Sequence, residues 1–351
     1  LSVIVVGWDG VQRDILRACI DKKLPECPNG LPNLMRLSGG RVFNLTVTSG
    51  ATDTRAGWPQ LFSGYDDATT GSYSNDRYRP LPKGYSVFEK VEEASGGDVV
   101  TAVFAAGNPM FSGDCTSRQP WCTTKKSIDY FQTGLGEDDV AAKAEGFLEN
   151  NSRRRVFALF YFVGPDVSGH KIGGDSSEYR KSIVDADARL GRIMGKLDEL
   201  NMSETTLVYV VTDHGHVPVA GHLNAPYGFI ASNDGGIVRS GDRMDLAPTL
   251  LEDFGIGRDY DKSPTVRGHS LHAMSPVKCI PNGGGFVDYP GAPGCCKGLA
   301  LINLTRYVGG QNGHCIDASG GGEDRSGYCM LCGNGICKKP EDRCNCPEDC
   351  L

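Results

Sequence analysis

The chain has no apolar run of 18 residues, the length a membrane-crossing helix needs, and no basic-then-apolar leader closed by a small-residue cleavage site. It starts at Leu1 rather than Met and enters the apolar run Ser2-Val3-Ile4-Val5-Val6 at once. It therefore reads as a mature or trimmed form, and an anchor on a missing part of a precursor stays open. A basic excess is also absent: the net charge is −7, with Lys and Arg scattered along the chain. That excludes a non-specific nucleic-acid binder, which needs a basic face. It does not exclude a small anionic substrate, whose attraction is set locally. No long-period repeat is present, which removes solenoids and propellers.

What is present begins with size. The 351 residues, 39% of them hydrophobic, suffice for one large core or two modest ones. Of the 14 cysteines, ten lie from Cys279 to Cys350, and the rest form the close pairs Cys19/Cys27 and Cys115/Cys122. Even counts over short loops point to disulfides and an oxidising compartment. The sequons at Asn44, Asn150, Asn201 and Asn303 are compatible with secretion. Zinc fingers are the rival for the tail, but its spacing lacks paired Cys-x-x-Cys units and its loops are Gly-rich.

Residues 2–6 read as a strand buried on both faces of a parallel sheet, ending in Gly7-Trp8-Asp9-Gly10. Helices are expected over 11–22 and 31–37, and a strand over 41–47 leads into the polar loop before Thr54. Further strands are expected over 99–104, 156–163 and 206–211, with a short one near Phe229-Ile230-Ala231. Helices are expected over 137–148, from a capping box at Asp175-Ser176-Ser177-Glu178 onward, and over 244–254. This alternation predicts a doubly wound, mostly parallel α/β domain over residues 1–275, with helices on both faces of the sheet. Residues 276–351 are too apolar-poor to fold around a core, so they are expected as a disulfide-stapled tail.

Right-handed crossovers bring the strand ends to one edge, where ligands of open α/β sheets gather. Asp9, Asp166, His170, Asp213, His214 and His222 all follow strands or lie just beyond them. Singly, each reads as a turn former or a satisfied histidine. Together they offer three carboxylates and three imidazoles, a donor set that suits Zn²⁺. Two such sites on one edge suit the paired metals, roughly 4 Å apart, that clamp the attacking and leaving oxygens of phosphoryl transfer. Thr54, at the start of a helix-like run, reads by type alone as an N-cap; in a helix's N-terminal field its hydroxyl also suits a nucleophile.

In this ordered combination the sequence resembles the alkaline-phosphatase superfamily, and within it the nucleotide pyrophosphatase/phosphodiesterase type, over roughly residues 3–271. The resemblance rests on Asp9-Gly10, Thr54 ten residues before Gly64, Asp166-x-x-x-His170, Asp213-His214-Gly215, His222 before Phe229, and the closing runs 245–251 and 268–271. It implies a hydrolase of phosphate esters with two Zn²⁺: Asp9, Thr54, Asp213 and His214 around one, Asp166, His170 and His222 around the other. It further implies Thr54 as a nucleophile forming a phospho-threonine. Asn75, 21 residues after Thr54, matches the family's amide that donates to a non-bridging phosphate oxygen. Two Zn²⁺ against three carboxylates leave a net charge of about +1, which attracts a small phosphate ester to an acidic chain.

The chain departs from the pattern at three points. Arg55 stands where nucleotide-cleaving relatives carry a base-stacking aromatic; a guanidinium suits a second anionic group instead. His222 follows Asp213 by only nine residues, a spacing closer to ethanolamine-phosphate transferases, and His269 and His272 compete for its place. His216 has no assigned role. A sulfatase needs Cys or Ser where Thr54 stands, and a cytosolic phosphoglycerate mutase does not suit a disulfide tail. The rival of another class is a non-catalytic binding or adhesion module on the same fold. The expected setting is secreted or lumenal, and the acidic tail loop reads as solvated rather than as a Ca²⁺ site.

Overall fold

Ser2–Trp8 (β1) is buried at every residue, as a β-branched strand covered on both faces must be. It lies between Arg155–Phe162 (β5) and Thr206–Val211 (β6), parallel to both, with Val5 opposite Leu159 on one side and Tyr209 on the other. Val99–Ala106 (β3) continues the parallel run beyond β5, and Tyr130–Leu135 (β4) ends it. On the far side Tyr227–Ser232 (β7) runs antiparallel to β6, and Val42–Thr46 (β2) antiparallel to β7. β2 therefore points the same way as β1. With the two-residue β8 (Gly241–Asp242), the eight-stranded order is β4-β3-β5-β1-β6-β7-β2-β8. These relationships come from a computed structural model. It describes residues 1–107, 112–256 and 266–272, and in the tail 280, 282, 284–286, 294–303, 307–309, 315–317, 327–337, 341 and 346–350.

The helices sort into two sets. Arg13–Ile20 (α1), Pro32–Ser38 (α2), Glu137–Asn150 (α6), Gly164–Ile172 (α7) and Ser177–Glu199 (α8) form one, with α8 touching each of the others. Thr54–Leu61 (α3), Asp67–Thr70 (α4), Val87–Ser95 (α5) and Leu246–Asp253 (α9) form the other. α8 buries Tyr179, Ile183, Ala186, Leu190, Ile193 and Leu197 along one stripe, the period expected of its sequence. Beneath α3 and α5, Trp58, Phe62, Phe88 and Phe157 stack in sequence, with Phe88 and Phe157 centroids 4.3 Å apart. The expected fold class is borne out: a mostly parallel sheet with helices on both faces.

Several local expectations need correction. α8 is capped by Ser176, whose side chain accepts from Tyr179 N, so Glu178 closes no capping box. A reciprocal box does form at Ser86 and Glu89, heading α5, a helix not expected from the sequence. Residues 164–172, given no element from the sequence, form α7, and Arg243–Asp245 is a 3₁₀ turn before α9. β4 escaped notice because its pattern alternates exposed and half-buried residues with no apolar run.

The chain divides into two compact units, Leu1–Val238 with Asp242–His272, and Arg239–Gly241 with Ala273–Leu351. The second carries short strands of its own. Gly327–Met330, Ala300–Asn303 and Gly284–Phe286 form a three-stranded antiparallel sheet, and Tyr307–Gly309 pairs with Cys315–Asp317. Disulfides join Cys295–Cys329, Cys332–Cys346 and Cys337–Cys350 in the tail, and Cys19–Cys27 and Cys115–Cys122 in the first unit. Cys296 is disulfide-bonded too, and no free cysteine occurs among the described residues. A thiolate zinc site at Cys332 and Cys346 is therefore ruled out, since the two sulfurs are bonded to each other. Cys279, Cys344 and the expected boundary at residues 275 and 276 lie outside the described residues.

Candidate active site

Asp9 ends the edge of the sheet where β1 stops, fully buried, its N–H bonded to Phe162 O at 2.9 Å. Its Oδ2 accepts from Trp58 Nε1 at 3.1 Å and from the Tyr161 hydroxyl, two aromatic donors that fix the carboxylate's plane. Its Oδ1 has no hydrogen-bond partner. Asp213 and His214 arrive from the end of β6. Asp213 Oδ1 accepts from Gly10 N at 3.4 Å, and Oδ2 has no partner. His214 Nδ1 lies 2.9 Å from Gly215 O, a carbonyl that only accepts, so that nitrogen carries the hydrogen. Its Nε2 stands 3.4 Å from both Asp9 Oδ1 and Asp213 Oδ2 and has no hydrogen-bond partner.

Asp166 and His170 lie one turn apart on α7, with His170 Nε2 3.7 Å from Asp166 Oδ1. Asp166 is buried, whereas the His170 side chain is 48% exposed and stands at the mouth. His222 reaches in from the loop after β6, its ring centroid 4.2 Å from that of His214 and 4.6 Å from that of His170. Its Nδ1 is 3.4 Å from Asp53 Oδ1, and its Nε2 has no partner. Of the two competitors, His272 stands elsewhere, bonded to Asp234, and the backbone N–H of His269 donates to Asp245 Oδ1 at 2.8 Å.

Thr54 is the first residue of α3 and only 3% exposed. The cap position belongs to Asp53, so the N-cap reading of Thr54 is corrected. Its chain neighbours are tied to both clusters. Thr52 Oγ1 donates to His222 O at 2.5 Å, and Asp53 bridges His222 to the backbone N–H of Asn75, which it accepts at 2.8 Å. On the other side a Cβ at Gly57 would come 2.6 Å from Asp213 Cβ, so only glycine lets α3 press this closely on that aspartate. Arg243, buried beneath, donates to Ser49 O at 2.7 Å, Ala51 O at 3.1 Å and Asp213 O at 3.3 Å, tying the loop before Thr54 to the end of β6.

Asn75 Oδ1 accepts from Arg55 N at 3.0 Å at the start of α3. Arg55 itself donates to Asn75 O at 2.7 Å and to Gln119 Oε1 at 3.1 Å, its guanidinium lying 4.3 Å over the Tyr78 ring.

The electrostatics follow from crowding like charges in a dry place. Burial first, then the charges of Asp213 and Asp166, push Asp9 well above the usual carboxylate range. Burial and Asp166 push Asp213 up to about 7, against the pull of Arg243. Burial, then His222, drives His214 well below the ordinary imidazole value, and burial lowers His222 as well. Asp166 goes the other way: burial opposes it, but the His216 hydrogen bond and the imidazoles His214 and His170 hold it below the usual range.

The three carboxylates and three imidazoles expected at this edge thus lie together, and Thr54 heads α3 next in sequence to Asp53, which faces His222. The sequence reading left His216 without a role; it is 3% exposed, 3.0 Å from Asp166 Oδ1 and within 5.4 Å, ring to ring, of His170 and His222. Its spacing of two from His214 is the signal that was available, since residues two apart in extended backbone project to one side. Trp58, Tyr161 and Asp53, which orient the others, carried no sequence signal.

The comparisons with known proteins agree with this architecture. The mouse (Mus musculus) steryl-sulfatase is 34% identical over 158 residues, covering 40% of this chain and 23% of that protein, so the chain spans about a quarter of the curated relative's length. The murine ectonucleotide pyrophosphatase/phosphodiesterase 5 shares the fold at TM-score 0.53 and 14% identity, covering 73% of this chain and 96% of that one. Alkaline phosphatase from the Antarctic bacterium TAB5 does so at TM-score 0.52 and 13% identity, covering 73% and 98%. With residues 3–249 matching it, the chain belongs to the type I phosphodiesterase / nucleotide pyrophosphatase family.

Proposed function

We propose that this chain is a phosphoester hydrolase working with two divalent metal ions, zinc by the chemistry of its donors, through a phospho-threonine at Thr54. The observation that carries the proposal is a set of buried ligand atoms with no hydrogen-bond partner: Asp9 Oδ1, Asp213 Oδ2, His214 Nε2 and His222 Nε2. Such atoms are costly in a folded interior unless a cation satisfies them. Mixed carboxylate and imidazole donors fit Zn²⁺. Asp9, Thr54, Asp213 and His214 would hold one ion, and Asp166, His170 and His222 the other.

When bound, the ions supply Lewis acidity at the Thr54 hydroxyl and at the departing oxygen. Thr54 Oγ1 loses its proton to solvent and attacks phosphorus in line, the P–Oγ bond forms as the P–O bond to the leaving group breaks, and the leaving oxygen takes up a proton from solvent. Water then attacks phosphorus from the opposite side and releases phosphate and the Thr54 hydroxyl. Trp58 and Tyr161 hold Asp9 in one orientation throughout. Asn75 donates its Nδ2 hydrogens to a non-bridging oxygen as charge builds there. Arg55, stacked on Tyr78, presents a cation beside the nucleophile for a second anionic group on the substrate.

The substrate is accordingly a small phosphate ester. The disulfides support a secreted or lumenal setting, with sequons available for glycosylation. No helix among the described residues is long and apolar enough to cross a membrane. Residues 276–351 are proposed as a separate cysteine-stapled domain.

The test is metal content by mass spectrometry together with turnover of aryl phosphate monoester, diester, phosphonate and sulfate. Zinc near two equivalents, with phosphate esters turned over and activity lost on chelation, is expected. Turnover of the sulfate alone indicates a sulfatase-like hydrolase, and no metal with no turnover indicates a binding module.

A further inference from the structure

His216 belongs to neither ligand set above, yet both of its ring nitrogens are committed. Its Nδ1 lies 2.7 Å from Gly221 O, a carbonyl that can only accept, so Nδ1 carries the hydrogen. In a neutral ring this leaves a lone pair on Nε2, which stands 3.0 Å from Asp166 Oδ1, itself an acceptor. Two acceptors at that distance repel unless a proton or a cation lies between them.

His214 is built the same way, with Nδ1 on Gly215 O and Nε2 aimed at carboxylate oxygens. His222 repeats it, with Nδ1 toward Asp53 and Nε2 without a partner. An imidazole whose outer N–H is pinned by a backbone carbonyl or carboxylate, leaving the other nitrogen inward, is oriented as metal-binding histidines are. His216 is also held from behind: a Cβ at Gly169 would come 2.6 Å from its Nδ1 and Cε1, so α7 lies flat against the ring. The ligand atoms of Asp166, His170 and His216 all fall within 4.8 Å of one another.

Resting on the two-metal reading, we infer that His216 is a further ligand of the divalent cation assigned to Asp166, His170 and His222. That cation then has a nitrogen-rich donor set, while its neighbour at Asp9, Thr54 and Asp213 has an oxygen-rich one. The competing arrangement is an imidazolium donating to Asp166, in which His216 orients the carboxylate and never meets the metal.

Two measurements on the full chain separate them. Calorimetric zinc titration of metal-stripped wild type, His216→Gln and His216→Ala should show one of the two binding steps weakened by more than the 10–100-fold typical of losing an orienting partner. In ¹⁵N-histidine-labelled wild type, zinc should convert the His216 Nε2 signal to that of a metal-bound nitrogen along with those of His170, His214 and His222. The second readout needs no variant to fold. A loss within 10–100-fold, an unchanged titration, or a His216 Nε2 that keeps its proton in the zinc-loaded protein overturns the ligand role. Failure of wild type to bind zinc at all sinks the two-metal reading itself, a separate and recognisable result.

Discussion

The side-chain oxygen of Asn75 accepts the backbone N–H of Arg55 at 3.0 Å, at the first turn of the helix that begins with Thr54. With Oδ1 used in this way, Nδ2 is the end of the amide left to donate to a substrate. Asn75→Ala removes both functions, whereas Asn75→Asp keeps the acceptor for Arg55 and loses only the donor. Both variants should lower kcat by about 10²–10³ with zinc content retained. If Asn75→Asp turns over like wild type, the residue serves only to shape the turn.

A second titratable cluster stands apart from the site. His272 Nε2 is 2.5 Å from Asp234 Oδ2 and 3.6 Å from Asp253 Oδ1, and the Tyr209 hydroxyl lies 2.7 Å from Asp234 Oδ2 and 2.6 Å from Asp253 Oδ2. Burial opposes the charged imidazole, but the bond to Asp234 and the charges of Asp234, Asp253 and Glu252 outweigh it and raise the His272 pKa above 6.5. A raised folded-state pKa contributes stability below pH 6.5 that is lost as pH climbs through the folded value. Burial lifts Asp253 to about 7, so its contribution is present below pH 3.8 and falls away as pH rises toward 7. Thermal melts against pH should therefore show stability declining from acid to alkaline through this window, with His272→Gln costing most below pH 6.5. A His272→Gln penalty that grows with pH contradicts the assignment.

The described cysteines are paired, so thiol titration of the unfolded, unreduced protein should find almost none. Reagent uptake approaching the 14 cysteines of the sequence would overturn the pairing and the oxidising setting together.

The site was legible where chemistry and topology coincide. Apolar, β-branched runs marked β1, β5 and β6, and the residues just past their ends are Asp9, Asp166, Asp213 and His214. Once the crossovers are right-handed, such residues must meet at one edge. Elements stabilised by tertiary contact rather than by their own pattern were not legible. α7 opens with Gly164-Pro165 and ends at Gly173, composition that reads as a loop, yet Glu137 Oε1 accepts the N–H groups of Val163 and Gly164 and secures its start. The tail strands are short and Gly-rich, and they are held by cross-links no spacing reveals. His216 was passed over because its partner Asp166 lies fifty residues away in sequence, where only the folded sheet joins them.

Thr54→Ser keeps a hydroxyl at the head of α3 and should remain active. Thr54→Ala should fold and bind zinc but be nearly inactive. Because Asp53 holds the cap position, the alanine variant should lose much less stability than the roughly 1 kcal/mol typical of a lost cap. An alanine variant that stays active removes Thr54 from the chemistry.

The most direct test of the account is the stereochemical course of hydrolysis, in isotopically labelled water, of an ester made chiral at phosphorus. Attack by Thr54 followed by attack of water comprises two in-line displacements, so configuration should be retained. Net inversion would mean a single displacement by water and would contradict a phospho-threonine at Thr54.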